Sequence, residues 1–174
     1  AQSEAANGKT YVNYWMHAGP VRVNKEKMSK SLGNFFTIRE VLKEHNPEVV
    51  RYFLSSVHYR SSIDYSLDSL KEARSALDRF YQALDGVEMT EVEIASNSYT
   101  DRFFAAMDDD FNTPMAFAVL FEMASELNRL KGKDDRAASQ LAGQIKALGA
   151  VVGLLQQNPK DFLQQGSAGE ISGE

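Results

Sequence analysis

The chain has 174 residues, 43% of them hydrophobic, and a formal charge of −5 from 24 acidic and 19 Lys and Arg side chains. A chain of that length buries roughly two-thirds of the surface it exposes when unfolded, enough for one globular domain without covalent staples. The absence of cysteine excludes disulfides and thiolate metal ligands within these residues and suits a cytoplasmic protein; no apolar run approaches the ~20 residues of a membrane span; and the acidic total argues against binding nucleic acid through the whole surface, though not against a local basic stripe.

The opening AQSEAANGKT has neither a charged nor an apolar run, so it does not read as a signal peptide, and it lacks an initiator Met. The expectation is a chain that begins partway into a larger protein. In TYVNYWMHAGPVRVN, Tyr11, Val12, Tyr14 and Trp15 favour extended structure. Gly19-Pro20 signals a turn. Val21 and Val23 alternate with Arg22 and Asn24, which predicts a short half-buried strand. The lysine-rich stretch KEKMSKSLGN follows directly, from Lys25 to Asn34.

From Thr37 the period becomes helical. Thr37 and Glu40 are spaced as a capping box for a helix over Ile38 to His45. Asn46-Pro47 reads as an N-cap with proline in the first turn, followed by an apolar stripe of Val49, Val50, Phe53, Leu54 and Val57. HYRSSIDYS is expected to be a loop. Ser66 caps a third helix whose Leu70, Ala73, Leu77, Phe80, Tyr81 and Leu84 step by threes and fours, and Gly86 ends it. A polar connection leads to a helix over 100–109. Thr113 is then the expected cap, with Pro114 in the first position and Phe117, Leu120, Phe121, Ala124 and Leu127 facing a core. A last helix is predicted over 135–157, with Leu141, Ile145, Leu148 and Val152 on one side and Asn158-Pro159 breaking it. QQGSAGEISGE reads as a polar linker. No fixed-period repeat is present. The pattern divides into a front segment at 1–36 with a short strand and the lysine loop, connecting helices at 37–64, an antiparallel helical bundle at 65–160 and a tail at 161–174.

The chemistry concentrates in Lys27, Met28, Ser29, Lys30 and Ser31. Ammonium groups are compact, mobile charges for phosphate, and hydroxyls and loop amides add donors. Gly33 permits close backbone approach. Nothing beside the loop supplies the His-plus-carboxylate set of a hydrolase, and a Walker loop would place its glycines before a single lysine. The pattern points to electrostatic stabilisation of a transferring or leaving phosphate.

K-M-S-K-S, complete and continued by L-G-N, with the upstream H-x-G of His17 and Gly19, resembles the second signature of class I aminoacyl-tRNA synthetases. AQSEAANGKTYVNYWMH, HYRSSIDYS and MDDDFNTPMAFAVLFEMASELNR are similar to the cysteine-specific members over nearly the whole chain. The resemblance implies a remnant of a Rossmann-like catalytic domain followed by a bundle named after an Asp-Ala-Leu-Arg motif, of which only Arg51 is kept in PEVVRYFL. It implies activation of cysteine by ATP with Mg2+ and transfer of the cysteinyl group to tRNA(Cys) by a monomeric enzyme. Lys30 would contact ATP and stabilise pyrophosphate, with Lys27 assisting. Met28 completes the signature, Ser29 and Ser31 would bind phosphate or fix the loop, and His17 and Gly19 would line the adenylate pocket.

The family's zinc ligands would lie upstream of Ala1, so no metal ligand is assigned here. The first signature is absent, and a chain of this extent is expected to be inactive alone. Two alternatives stay open: a noncatalytic tRNA-binding helical module, or another class I specificity such as methionine. His17 reads equally well as a packing residue near Trp15. His58, Tyr59 and Arg60 read as a structural corner, and Asp108, Asp109 and Asp110 as a helix end. Among Arg74, Arg79, Arg102, Arg129, Lys131 and Lys133, surface solvation and tRNA contact compete.

Overall fold

In the computed structural model, which describes residues 1–90 and 92–167, the elements run α1 (Gln2–Asn7), β1 (Val21–Val23), β2 (Glu26–Lys27), α2 (Ile38–Glu44), α3 (Pro47–Ser55), β3 (Ile63–Tyr65), α4 (Leu67–Leu84), α5 (Ser98–Asp108), α6 (Thr113–Leu130), α7 (Asp135–Val151) and α8 (Pro159–Ser167). The chain is therefore mainly α, with one small sheet of order β2-β1-β3.

Local chemistry sets the helix starts. The Thr37 hydroxyl accepts from the Glu40 amide while Glu40 reaches back to the Thr37 amide at 2.6 Å, closing the box that begins α2. Asn46 accepts from the Glu48 amide and Pro47 opens α3, where its missing N–H costs nothing. Ser66 caps α4 through the Ser69 amide. The α6 cap differs from expectation by one residue. Asn112 holds that position, and Thr113 instead donates its hydroxyl to the Ser55 carbonyl at 2.6 Å, tying α6 to the end of α3.

The central helix is α4, which packs against α3, α6 and α8, while α6 also packs on α5 and α7. All six apolar positions read from its periodicity are buried. Phe80 stacks on Phe121 at 4.2 Å, Tyr52 on Phe117 at 5.0 Å, and Tyr81 on Phe162 at 4.1 Å between ring centroids. Each such side chain, fully buried, contributes about 1.5–3 kcal/mol. On α3 the stripe is rotated from expectation: Tyr52 is buried and Leu54 is exposed.

One carboxylate sits inside this core. Glu48 accepts from the Tyr81 hydroxyl at 2.9 and 3.0 Å, from the Leu155 amide at 2.5 Å and from Gln157 Nε2 at 2.5 Å. Its two oxygens join α3, α4 and the α7–α8 connection, and this set of donors is what makes burial tolerable. Burial, reinforced by the Glu48 charge, holds the Tyr81 phenol protonated well above its usual range.

Further expectations are overturned. Ile63–Tyr65, expected to be loop, is a strand that pairs in parallel with β1, a partner some forty residues upstream and invisible to local pattern. The last helix stops at Val151, not 157. There the Gly153 amide donates to the Ala150 carbonyl at 3.0 Å and the Leu154 amide to Gly149 at 2.8 Å, a Schellman closure that needs the positive φ of 71° at Gly153. The chain then folds Leu154 and Leu155 into the core. Asn158-Pro159, expected to break a helix, starts α8, with the Lys160 amide donating to Asn158 Oδ1. The tail expected from 161 is thus helical to Ser167, and 168–174 lie outside the described residues. In the front segment, Tyr11, Tyr14 and Trp15 are exposed and form no strand, since no described strand pairs with them. A short α1 stands before them.

Phe162 distinguishes a packed helix from a linker. It is 0% exposed, stacked on Tyr81 and covered by the Arg74 guanidinium at 4.3 Å. Phe162→Ala is expected to destabilise the chain by about 3–5 kcal/mol in urea titrations, where a linker residue would change stability by less than about 0.5 kcal/mol.

Candidate functional site

The lysine stretch begins as a hairpin. Asn24 and Lys25 both take positive φ, 50° and 68°, the two-residue turn whose twist matches paired strands. β1 and β2 pair antiparallel with Arg22 opposite Lys27 and Val23 opposite Glu26. The turn is fastened to β3: the Asn24 amide donates to the Tyr65 carbonyl at 3.1 Å, and the Lys25 amide to Asp64 Oδ1 at 2.6 Å.

Beyond Lys27 the chain closes on itself. Asn34 Oδ1 accepts from the Ser29 amide at 2.8 Å, and its Nδ2 donates to the Lys27 carbonyl at 3.2 Å. Ser29 Oγ accepts from the Leu32 amide at 3.2 Å and lies 3.1 Å from Ser31 Oγ. Gly33, at φ 69°, donates to the Lys30 carbonyl. Met28 is half-buried, while Lys27 and Lys30 are exposed. Lys30 Nζ stands 5.3 Å from the centre of the Phe35 ring, a cation–π contact that sets the side chain's direction. Neither lysine joins an ion pair among the described residues. Two ammonium groups and two hydroxyls are thus held on one turn with their charge uncompensated. Asn34, part of the motif's L-G-N continuation, fixes the loop backbone, and Phe35, the next residue, contacts Lys30.

Gly19 is placed elsewhere. Its amide donates to the Tyr59 carbonyl at 2.7 Å, and a β-carbon there would overlap the Ser61 carbonyl. The next residue, Pro20, accepts at its carbonyl from the Ile63 amide and the Ser62 hydroxyl. His17 is exposed and makes no hydrogen bond or ion pair among the described residues; Trp15 is exposed too. The structure therefore brings Lys27, Met28, Ser29, Lys30 and Ser31 together, and sets Gly19 against the His58–Ser62 corner.

That corner is anchored by Asp110. Arg60 donates to both its oxygens, at 2.5 and 3.2 Å, and the Tyr59 hydroxyl donates at 2.7 Å, with His58 Nε2 3.8 Å away. Arg60 first, then Tyr59, holds the Asp110 carboxyl down at about 2. Asp110 and Phe111 both carry positive φ, 53° and 54°. Asp110 is therefore a specific clasp rather than part of a solvated helix end.

A cleft of about 960 Å3 lies between the front segment and the bundle, lined by Met16, Ile38, Leu42, Arg51, Leu54 and Phe111 among others. Lys27 and Lys30 do not line it. Of the basic bundle residues, Arg74 binds Asp78 and the Phe162 carbonyl, Arg102 binds Glu122, Arg129 binds Glu126, and Lys131 binds the carbonyls of Gln82 and Asp85.

Comparison with known proteins places this geometry. Residues 1–75 match the model of the class I (C) tRNA synthetase catalytic domain, and residues 102–156 match the DALR domain. The chain belongs to the class I tRNA synthetases. It is 60% identical over 171 residues to a cysteine–tRNA ligase of Azotobacter vinelandii, covering 98% of this chain and 37% of that protein. It is 55% identical over 172 residues to a cysteine–tRNA ligase of Shigella sonnei, covering 99% of this chain and again 37% of the relative. The chain thus spans little more than a third of the length of the curated relatives it matches. A solved structure, a ternary LeuRS–tRNA–LeuAMS complex from Agrobacterium radiobacter K84, superposes with a TM-score of 0.55 at 21% identity, over 82% of this chain and 23% of that one, a likeness of fold.

Two substitutions test the corner. Gly19→Ala forces the front segment off the 58–62 turn, so amide exchange at Ile63 and Asn24 is expected to speed up in hydrogen-exchange measurements while core amides of α4 stay protected. For Asp110, the folded carboxyl titrates below its ordinary range. Its stabilising contribution is therefore complete above about pH 5 and is lost as pH falls toward 2. Asp110→Asn is expected to lower Tm near neutrality, and its deficit against the parent chain should shrink as pH drops through that window.

Proposed function

We propose that this chain forms part of a cysteine–tRNA ligase and supplies the loop that meets the triphosphate of ATP together with the helical bundle that meets tRNA(Cys). The observation that carries the reading is the self-bonded turn presenting Lys27 and Lys30 without partner carboxylates. The identity to cysteine–tRNA ligases across 98% of the chain supports the cysteine specificity over methionine or another class I substrate.

In the reaction, a carboxylate oxygen of cysteine attacks the α-phosphorus of ATP, and the bond to the bridging oxygen breaks, releasing pyrophosphate. Negative charge grows on the leaving oxygens. Ammonium groups held in place beforehand stabilise that charge more than the ground state. Lys30, directed by Phe35, is assigned to the leaving pyrophosphate, and Lys27, at the end of β2, to positioning the nucleotide. Ser29 fixes the loop and keeps Ser31 within reach of phosphate. In the second half, a terminal ribose hydroxyl of the tRNA takes the cysteinyl group and AMP leaves. His17 and Gly19 belong to the adenylate side in this reading, Gly19 through its fixed place against Tyr59.

Cysteine binding by a thiolate zinc site does not fit the residues present, since the sequence has no cysteine and no group of three or more His, Asp and Glu among the described residues could hold a metal. Mg2+ belongs in this reading to the phosphates of the bound ATP, since that ion keeps most of its waters and takes few protein ligands. Among the described residues no helix is long and apolar enough to cross a membrane. The synthetase of this reading is cytoplasmic and monomeric.

Lys30→Ala in the full-length protein carrying this segment is expected to slow ATP–pyrophosphate exchange by roughly 10²–10³-fold, the scale of losing one preorganised charged donor. An unchanged rate would favour the noncatalytic tRNA-binding module.

A further inference from the structure

We propose that Arg22 is a third cation of the polyphosphate site, acting beside Lys27 from the neighbouring strand. This rests on the reading of the lysine loop as the ATP-facing element. Arg22 and Lys27 are direct cross-strand partners, so their side chains leave the hairpin on one face. Both are exposed, and neither joins an ion pair among the described residues. Like charges directly opposite each other destabilise a strand pair, and this is a two-residue strand with little pairing to spare.

The acids nearby form no ion pair with either cation among the described residues. Asp64 is the partner of Arg22 on β3, but its Oδ1 accepts from the Lys25 amide, which ties it to the turn. Glu26 pairs with the buried Val23 and so belongs to the opposite face. A guanidinium and an ammonium side by side suit a group with several adjacent anionic oxygens. The guanidinium offers its fork to two oxygens and the ammonium a point charge to a third. That is the chemistry of a triphosphate or a departing pyrophosphate.

The test is calorimetric titration of this chain with sodium tripolyphosphate, comparing the parent sequence with Arg22→Met, Lys27→Ala, Lys30→Ala and the exposed control Lys133→Ala. Arg22→Met is expected to weaken binding about tenfold, as one charge-assisted contact warrants, and to raise Tm at low salt by removing the cross-strand repulsion. Lys133→Ala should leave the affinity alone. If Lys27→Ala and Lys30→Ala weaken binding while Arg22→Met does not, or if Arg22→Met merely lowers Tm, the assignment of Arg22 falls and the loop reading stands. If the parent chain does not bind tripolyphosphate, or neither lysine matters, both fall.

Discussion

The parallel pairing of β1 with β3 is the constraint on which the rest of the molecule's front depends. Val21, Arg22 and Val23 lie in register with Ile63, Asp64 and Tyr65. Without that pairing a hairpin of two paired positions would have no reason to persist, because two short strands are at best marginal in water. The close approach at Gly19 extends the same seam, and the Tyr65 ring continues it by packing on Phe36 at 4.6 Å and Phe53 at 6.0 Å. The lysine turn is therefore aimed by the bundle, through backbone, and not by its own sequence alone.

A second tie runs through the interior. Glu48 gathers donors from three parts of the chain, and no side-chain polar atom buried among the described residues lacks a partner. Removing one partner of such a set leaves a charge in a dry place, which costs more than the bond itself. The geometry explains why α7 stops early: its Schellman turn is what delivers the Leu155 amide and the Gln157 side chain to that carboxylate.

What was legible in the sequence was the local part. The capping box at Thr37, the Asn46-Pro47 start and the apolar period of α4 depend on residues within four positions of each other, and the structure has them as read. The missed features are nonlocal or ambiguous in sign. The β3 strand needs a partner far upstream. Asn158-Pro159 has the same form whether it ends one helix or starts another, and Gly153 is the local stop signal for α7. Asp110 looked like one of three solvated acids, and only the fold brings Tyr59 and Arg60 onto it.

The turn from Met28 to Asn34 has a mechanical consequence. Among the described residues its hydrogen bonds run only to one another and to the Lys27 carbonyl, never to the bundle. It is a self-bonded turn between β2 and Phe35. Bonds of this kind order the backbone that carries Ser29, Lys30 and Ser31 during folding, so that part of the ordering entropy is not left to be lost when a ligand arrives.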